Sequence, residues 1–351
     1  MKRGVRIALL LGVIAAALAF AGGALAAYTP KIVVSHDPLT PQGGGKTDIA
    51  VSVDQNDDAT ARVLIYVPQG YTGSLGTPGQ QVGTAEAQVL TSIAPTQPIP
   101  VTGAIVADDP SKYVAPATQC TGTPTHAGVW LLRLEAAGQQ LTVPAYVDPV
   151  TAAPEAALGS FKITVCLPSP YIPPSAGGAT LGAKLVSATL HLTNVFVLPA
   201  QNGSYGWTLV ATPWTVGAGT INAAGTVQAR GFVNMPVLLG LTAKYSKKTK
   251  SYMVSGKLTE NLQGLSGVAV QIFSGTKASS LKRTKTLTTG AGGSFSFKVA
   301  AKKTQYFQAR VSVAARSTAC TVAVPGIPCA TGSIDPFSAK STTIKTAKRK
   351  K

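Results

Sequence analysis

Thr288 to Val299 reads TTGAGGSFSFKV, a run of glycine and alanine followed by Ser, Phe, Ser, Phe, Lys, Val. A phosphate cradle needs its glycines to open a helix whose first amides face the anion, as in GxxxxGK[ST] or GxGxxG. Here the glycines run into strict alternation and no Lys-Ser/Thr follows at the required spacing. The segment is read as a hairpin turn whose glycines supply positive φ, followed by a half-buried strand. A nucleotide enzyme is set aside in favour of a β-rich module.

The same period of two runs through the neighbouring sequence. Tyr252, Val254 and Leu258 oppose Ser255, Lys257 and Thr259; Val268, Val270 and Ile272 oppose Gln271; Phe295, Phe297 and Val299 oppose Ser294, Ser296 and Lys298. Phe307, Ala309, Val311 and Val313 likewise oppose Gln308, Arg310 and Ser312. One face is core and the other wet, as in antiparallel strands of a sandwich. The motifs x-V-x-G-x-L, G-V-x-V-x-I, the Gly-rich turn before S-F-x-F, and Y-F-x-A-R-V resemble a bacterial immunoglobulin-like repeat of exported surface proteins. Such repeats overlap in appearance with the transthyretin-like regulatory domains of carboxypeptidases. The resemblance covers about residues 237–315 and implies a seven-stranded sandwich with adhesive, spacer or carbohydrate-associated roles and no catalytic residues. Cys320 to Cys329 is an insertion in that pattern, and the last strand is expected near Ser341 to Thr346.

Upstream, strands are expected at KIVVSH, TDIAVSV, ARVLIYVP, AEAQVL, VTGAIVA, GVWLLRLEA, QLTVPAYV, SFKITVCL, KLVSATLHLTNVF, GWTLVATPW and TVQARGFV. Turn residues recur between them, as in a sandwich. Thr77 to Pro124 is poorer in pattern and reads as long loops. The opening of this part is similar to the first strands of exported copper-associated sandwich proteins. Those use a histidine at the mature N terminus, whereas this chain would begin Ala27-Tyr28, so copper is not carried over.

The N terminus, MKRGVRIALLLGVIAAALAFAGGALAAY, places Lys2, Arg3 and Arg6 before an apolar run that ends in Ala24-Leu25-Ala26. It reads as an export signal, either cleaved after Ala26, which Gly22, Gly23 and the Ala-x-Ala pattern favour, or retained as an anchor, since the run is just long enough to span a bilayer. No second long apolar run follows. The reading is therefore all-β with two β-sandwich domains: 1–26 signal peptide, 27–232 N-terminal sandwich, 233–346 basic immunoglobulin-like sandwich and 347–351 basic tail. Composition shifts toward Lys and Ser around Arg230 to Pro236, which sets the boundary.

Charge is distributed unevenly. Residues 27–240 hold 8 Lys/Arg against 11 Asp/Glu, whereas residues 241–351 hold 20 Lys/Arg against 2 acids, Glu260 and Asp335. All the excess positive charge of the mature chain lies in its last third, which suggests a polyanionic partner. Strand alternation says where the charge gathers. Counting from Val237, the first, third and fifth connections are SKKTKS, SGTKASSLKR and AAKKTQ, and the chain leaves as KTAKRKK. They carry Lys247, Lys248, Lys250, Lys277, Lys282, Arg283, Lys302, Lys303, Lys348, Arg349, Lys350 and Lys351, all expected at one pole. The opposite connections, ENLQGLSG, TTGAGGS and the Cys320 to Cys329 loop, carry no Lys or Arg. The expected partner is an anionic wall polymer or lipid headgroups, rather than a specific nucleic acid.

Four cysteines in an exported chain read as two disulfides. The local pairing, Cys120 with Cys166 and Cys320 with Cys329, keeps each bridge inside one domain and closes loops that contribute roughly 4 and 3 kcal/mol on the loop-entropy account. No C-x-x-C spacing or nearby His supports zinc.

Other chemistry gives weaker signals. His36, His126 and His191 stand alone in sequence, and an envelope hydrolase or metal-handling site would need them, or one of them with Ser and Asp, to meet in space. Gly264-Leu265-Ser266-Gly267 lacks the nucleophile-elbow spacing. Glu135 and Arg133 share the exposed side of one strand, as for a structural ion pair. Asp54, Asp57 and Asp58 lack the calcium-loop register and read as a polar turn. Trp130 reads as core, and one of Trp207 and Trp214 reads as exposed, which makes carbohydrate a candidate ligand. No cofactor motif is present. The sequence points to an exported, non-enzymatic binding or structural protein.

Overall fold

The computed structural model describes residues 28–348 apart from 92, 93, 137, 177 and 179–181. The expected signal peptide, 1–26, and the tail residues Arg349, Lys350 and Lys351 lie outside the described residues. The protein is nearly all β. Its first unit contains β1 (Lys31–Asp37), β2 (Lys46–Ser52), β3 (Thr60–Val67), the two-residue β4 (Thr72–Gly73), β5 (Gln81–Thr91), β6 (Ala94–Asp108), β7 (Gly128–Ala136), β8 (Gln139–Pro149), β9 (Phe161–Cys166), β10 (Ala183–Thr193), β11 (Phe196–Val197), β12 (Gly203–Pro213) and β13 (Val227–Met235). The second contains β14 (Val237–Ser246), β15 (Ser251–Glu260), β16 (Gln263–Gly264), β17 (Ala269–Lys277), β18 (Ser280–Thr288), β19 (Ser294–Ala300), β20 (Gln305–Val313), β23 (Phe337–Lys340) and β24 (Ile344–Thr346), while β21 (Arg316–Thr318) and β22 (Cys329–Ile334), between β20 and β23 in the chain, pair with the first.

The first unit is built on one continuous 13-stranded sheet in the order β1-β2-β10-β5-β6-β7-β8-β9-β3-β12-β13-β22-β21, with β4 and β11 paired apart from it. It curls until its first strand meets its far end. Thr331 Oγ1 donates to the Pro30 carbonyl at 2.7 Å and Ser333 Oγ to that of Ile32. At Gly231 a Cβ would lie 3.0 Å from the Ile32 carbonyl oxygen, so glycine admits this close approach. Alternation sends Ile32, Val34 and His36 of β1 inward, with Ile49 and Val51 of β2, into one shared core. The result is a sandwich-like body whose two faces belong to one sheet.

Thr77 to Pro124 departs from the loop expectation. β5 and β6 form a long antiparallel pair there, followed by α1 (Val114–Thr121). Its prolines obscured the first half of β6, which extends the expected VTGAIVA back to Ala94. Pro95, Pro98 and Pro100 precede Thr102, where pairing with β7 begins, so this part of β6 has only one ladder neighbour and a missing N–H is tolerated. Helix α1 stops at Gly122, φ 77°, whose N–H reaches the Thr118 carbonyl at 3.0 Å. Its Ala117 packs with Val129, Leu131 and Tyr146 on the outer face of β7 and β8, and Cys120 is bridged to Cys166 of β9.

The second unit is a two-sheet sandwich. β14, β15 and β16 form one sheet with β19 paired to β15; β18, β17, β20 and β23 form the other with β24 paired to β20. Tyr252, Val254, Leu258, Val270, Ile272, Phe295, Phe297, Phe307, Ala309 and Val311 fill the space between, as the alternation requires. Gly256, the glycine of x-V-x-G-x-L, faces Phe295 across β15 and β19; a Cβ there would lie 2.2 Å from the Phe295 ring. The Thr288–Ser294 segment is a turn but not a hairpin: β18 and β19 lie in different sheets. Gly292 and Gly293, at φ 65° and 75°, carry it across, and a Cβ at Gly293 would meet the Leu258 carbonyl at 2.1 Å.

Composition placed residues 233–346 together, yet pairing distributes them otherwise. Residues 233–235 finish β13, and β22 returns to lie parallel to β13 with β21 outside it. The Cys320–Cys329 bridge, expected inside the second domain, therefore belongs to a segment of the first sheet. Gln228 holds that segment: its amide donates to the Val324 and Ile327 carbonyls and its carbonyl accepts from Ala323 and Val324 amides. A contiguous boundary read from composition could not show this return.

Candidate functional site

The connections of the second unit sort into two ends. Ser246 pairs with Ser251 and Ser251 with Ala300, which sets the β14–β15 turn beside the β19–β20 turn. The Ala301 amide donates to the Lys250 carbonyl between them. In the other sheet Lys277 pairs with Ser280, Gly275 with Tyr306 and Gln305 with Thr346, so the β17–β18 turn and the exit of β24 reach the same end. The Lys348 amide donates to Thr304 Oγ1 at 3.2 Å. Lys247, Lys248, Lys250, Lys277, Lys282, Arg283, Lys302, Lys303 and Lys348 are all exposed there, and none takes part in an ion pair among the described residues. Alternation could not foretell the aromatic at this rim: Lys345 stands over the Tyr306 ring at 5.8 Å. Lys345 is paired across the strand from Tyr306, a register the sequence alone leaves open.

Both acids of the last third lie at the opposite end. Glu260, which pairs with Val237 at the start of the unit, binds Arg316. Asp335 is 1% exposed and accepts from the Asn234 amide at 3.2 Å. Burial pushes its carboxyl up to about 7, the backbone hydrogen bond opposing. The second unit thus has both acids toward the first unit and nine exposed cations gathered at the far end, while Arg316 and Lys257 lie on the acid side and other cations along the strands. Like-charged side chains so gathered raise the local potential toward anions.

The candidate sites of the first unit do not come together. His36 faces the core, its Nδ1 3.0 Å from Thr47 Oγ1 and its Nε2 3.2 Å from the Tyr71 hydroxyl. Burial pushes it down to about 3, which leaves it neutral. His191 binds Asp48 at 2.8 Å. Thr47 and Asp48 are successive residues of β2, so the two imidazoles sit on opposite faces of the sheet. His126 belongs elsewhere, between Asp148 at 2.7 Å and Thr121 at 3.0 Å. That run has the connectivity of a nucleophile, base and orienting acid. However, the Thr121 hydroxyl also engages the Ala117 carbonyl and the Thr123 amide, and the His126 side chain is only 5% exposed, lying 4.6 Å from the Tyr146 ring. It ties the loop after α1 to β8.

No group of three or more His, Cys, Asp or Glu suited to a metal occurs among the described residues. Asp54 accepts from Asn56 in a turn, and Asp57 receives the Thr29 amide and hydroxyl at 2.7 and 2.9 Å. Arg133 and Glu135 are exposed, and among the described residues no ion pair joins them. Trp130 and Trp207 are both fully buried and Trp214 is partly buried. The odd spacing of Trp207 and Trp214 therefore does not turn either into an open stacking face. No helix among the described residues is long and apolar enough to cross a membrane.

No family model and no curated protein matches the chain. Among solved structures, the full-length major pilin SpaD from Corynebacterium diphtheriae is similar at 12% identity and a TM-score of 0.26, over 80% of this chain and 56% of that one. Domains D2 and D3 of the same pilin give 11% and 0.26, over 81% and 82%. A β-1,2-glucanase from Parabacteroides distasonis gives 10% and 0.19, over 92% and 36%. The chain thus spans 56% of the full-length pilin. Scores of this size carry no weight for function, which has to be argued from this chain's own residues.

Proposed function

We propose that this chain is an exported, non-enzymatic binding or structural protein of the cell envelope, whose basic C-terminal pole contacts a surface polyanion, either an anionic wall polymer or lipid headgroups. The observation that carries the reading is the convergence of three lysine-rich turns and the chain exit on one end, with both acids of that region at the other. Export is supported by the Lys/Arg-led apolar N terminus and by two disulfides, which persist in oxidising compartments.

The test is retention of the full chain on whole cells, on isolated wall polymer and on anionic lipid vesicles. Contacts of this kind weaken with salt, because the Debye length falls from about 10 Å at 0.1 M to about 3 Å at 1 M. Replacing Lys247, Lys248, Lys302 and Lys303 together by Glu should abolish retention without unfolding the chain. A variant retained as well as the parent would refute the reading.

A further inference from the structure

The interior of the first unit is filled unevenly. At the end where β7 begins and β3 finishes, Trp130, Phe196, Trp207 and Tyr71 pack edge to face with ring centroids 5.4 to 6.4 Å apart. At the other end the inward positions of β2, β3, β5, β6, β7, β8, β9 and β10 are Val, Ala, Leu and Ile, with Thr91, and they do not meet. They leave a cavity of about 270 Å³. Protein interiors keep few voids larger than a water molecule, and an apolar cavity of about 150 Å³ stays dry and accepts benzene.

The wall has a direction and a chemistry. It runs along β5 from Thr91 to Ala85, roughly 20 Å of extended strand. Among the described residues, Thr91 and Gln140 are the uncharged polar residues at the wall, Glu86 turns its carboxylate to His191 Nε2 at 3.6 Å on the outer face, and no Lys, Arg or His lines the wall. Val89, Val165, Leu185 and Ala188 are half-buried although they face inward, and Leu141 is 39% exposed, so the cavity opens to solvent near the start of β8 and of β10. A long, narrow, uncharged space with a polar lip suits a chain of methylenes better than a sugar or an anion, either of which would leave its polar groups unpaired.

We propose that this cavity binds one alkyl chain of a lipid, with the head group left in water at the mouth. The site is separate from the basic pole and does not depend on it. Titrating the full chain with dodecanoate and dodecylphosphocholine below their micellar concentrations, and with dodecanol below its solubility limit, in 0.5 M NaCl, tests it by calorimetry. The salt suppresses attraction of dodecanoate to the lysines. All three should bind one to one and within about threefold of one another, since the one charged side chain at the wall, Glu86, turns outward to His191. A brominated dodecanoate should quench tryptophan fluorescence along the same isotherm, because Trp130 shares β7 with Leu132 of the wall. Ala87→Phe and Ala188→Phe, on two different strands, should each weaken binding at least about tenfold by filling the space. If only one variant folds, that one decides; if neither folds, the parent isotherms decide. Absence of saturable binding by the parent, binding of only one head group, or a folded variant that binds like the parent would each overturn the proposal.

Discussion

The two units solve the same packing problem with opposite distributions of what is left over. The second unit packs Leu258, Val254, Ile272 and Phe307 between two small sheets and sends its charge to the turns at one end. The first curls a single sheet, fills one end with aromatic rings and leaves the other aliphatic and hollow. Charge there is mixed and locally spent, as in His191 with Asp48 and Lys162 with Glu155. A period of two decides which side chains face inward in both units. What the unit presents to partners is decided by how strands are ordered, because order sets which ends and which inward positions become neighbours.

The comparison can be broken by perturbing one unit and reading the other. All three tryptophans lie in the first unit, so their fluorescence reports it alone. Replacing Cys120 and Cys166 with Ser should have the largest effect, about 4 kcal/mol for a loop of 46 residues, and should move the tryptophan-detected urea midpoint. Replacing Cys320 and Cys329 should move the same midpoint by less, about 3 kcal/mol, because that bridge holds a segment of the first sheet. A second bridge that left tryptophan unfolding untouched would restore the contiguous boundary.

Gly256→Val comes next. Its branched side chain would collide with Phe295, at an overpacking cost of about 1–3 kcal/mol. Circular-dichroism melting should shift down while the tryptophan transition stays within about 0.5 kcal/mol of the parent; a joint shift of that size would show the units to be one cooperative block.

Asp335 joins the two units and gives a pH signature. Its folded carboxyl is raised to about 7 from the ordinary value of 3.8, so the folded state binds its proton more tightly than the unfolded chain. The stability this contributes is fully present below the unfolded value and is lost as pH rises through about 7. Urea midpoints should fall between pH 5 and pH 8 in the parent, and fall less in Asp335→Asn. Equal falls in both would assign the pH dependence to other groups. The smallest expected effect is that of Glu at Lys247, Lys248, Lys302 and Lys303 on stability, within about 0.5 kcal/mol by either probe, since all four side chains are exposed.

Much of this was legible in the sequence. Eleven expected strands of the first part all fall on observed ones, and the inward set of the second unit is the alternating set. The basic residues that reach one end follow from successive hairpins and crossovers, where direction reverses at each connection. Three features were not legible, each for a reason of register or order. β10 inserts between β2 and β5, a placement fixed by pairing of residues more than 90 positions apart. β22 returns to β13 because the Gln228 side chain and the Asn234 backbone amide receive its segment, and a lone glutamine in an alternating strand looks like any outward residue. The cavity depends on aliphatic inward residues of eight strands facing one another at one end without touching, which no single strand discloses.

If the cations gathered at the far end of the second unit hold the protein to a polyanion, its binding must depend steeply on salt. Affinity of the full chain for isolated anionic wall polymer and for anionic vesicles should be measured from 0.05 to about 1 M NaCl, beside the variant with Glu at Lys247, Lys248, Lys302 and Lys303. The account predicts steep weakening for the parent on at least one of the two surfaces, and no measurable binding by the variant on that surface at any salt. Parent binding that is flat across the range, or a variant that follows the parent's curve, would contradict it.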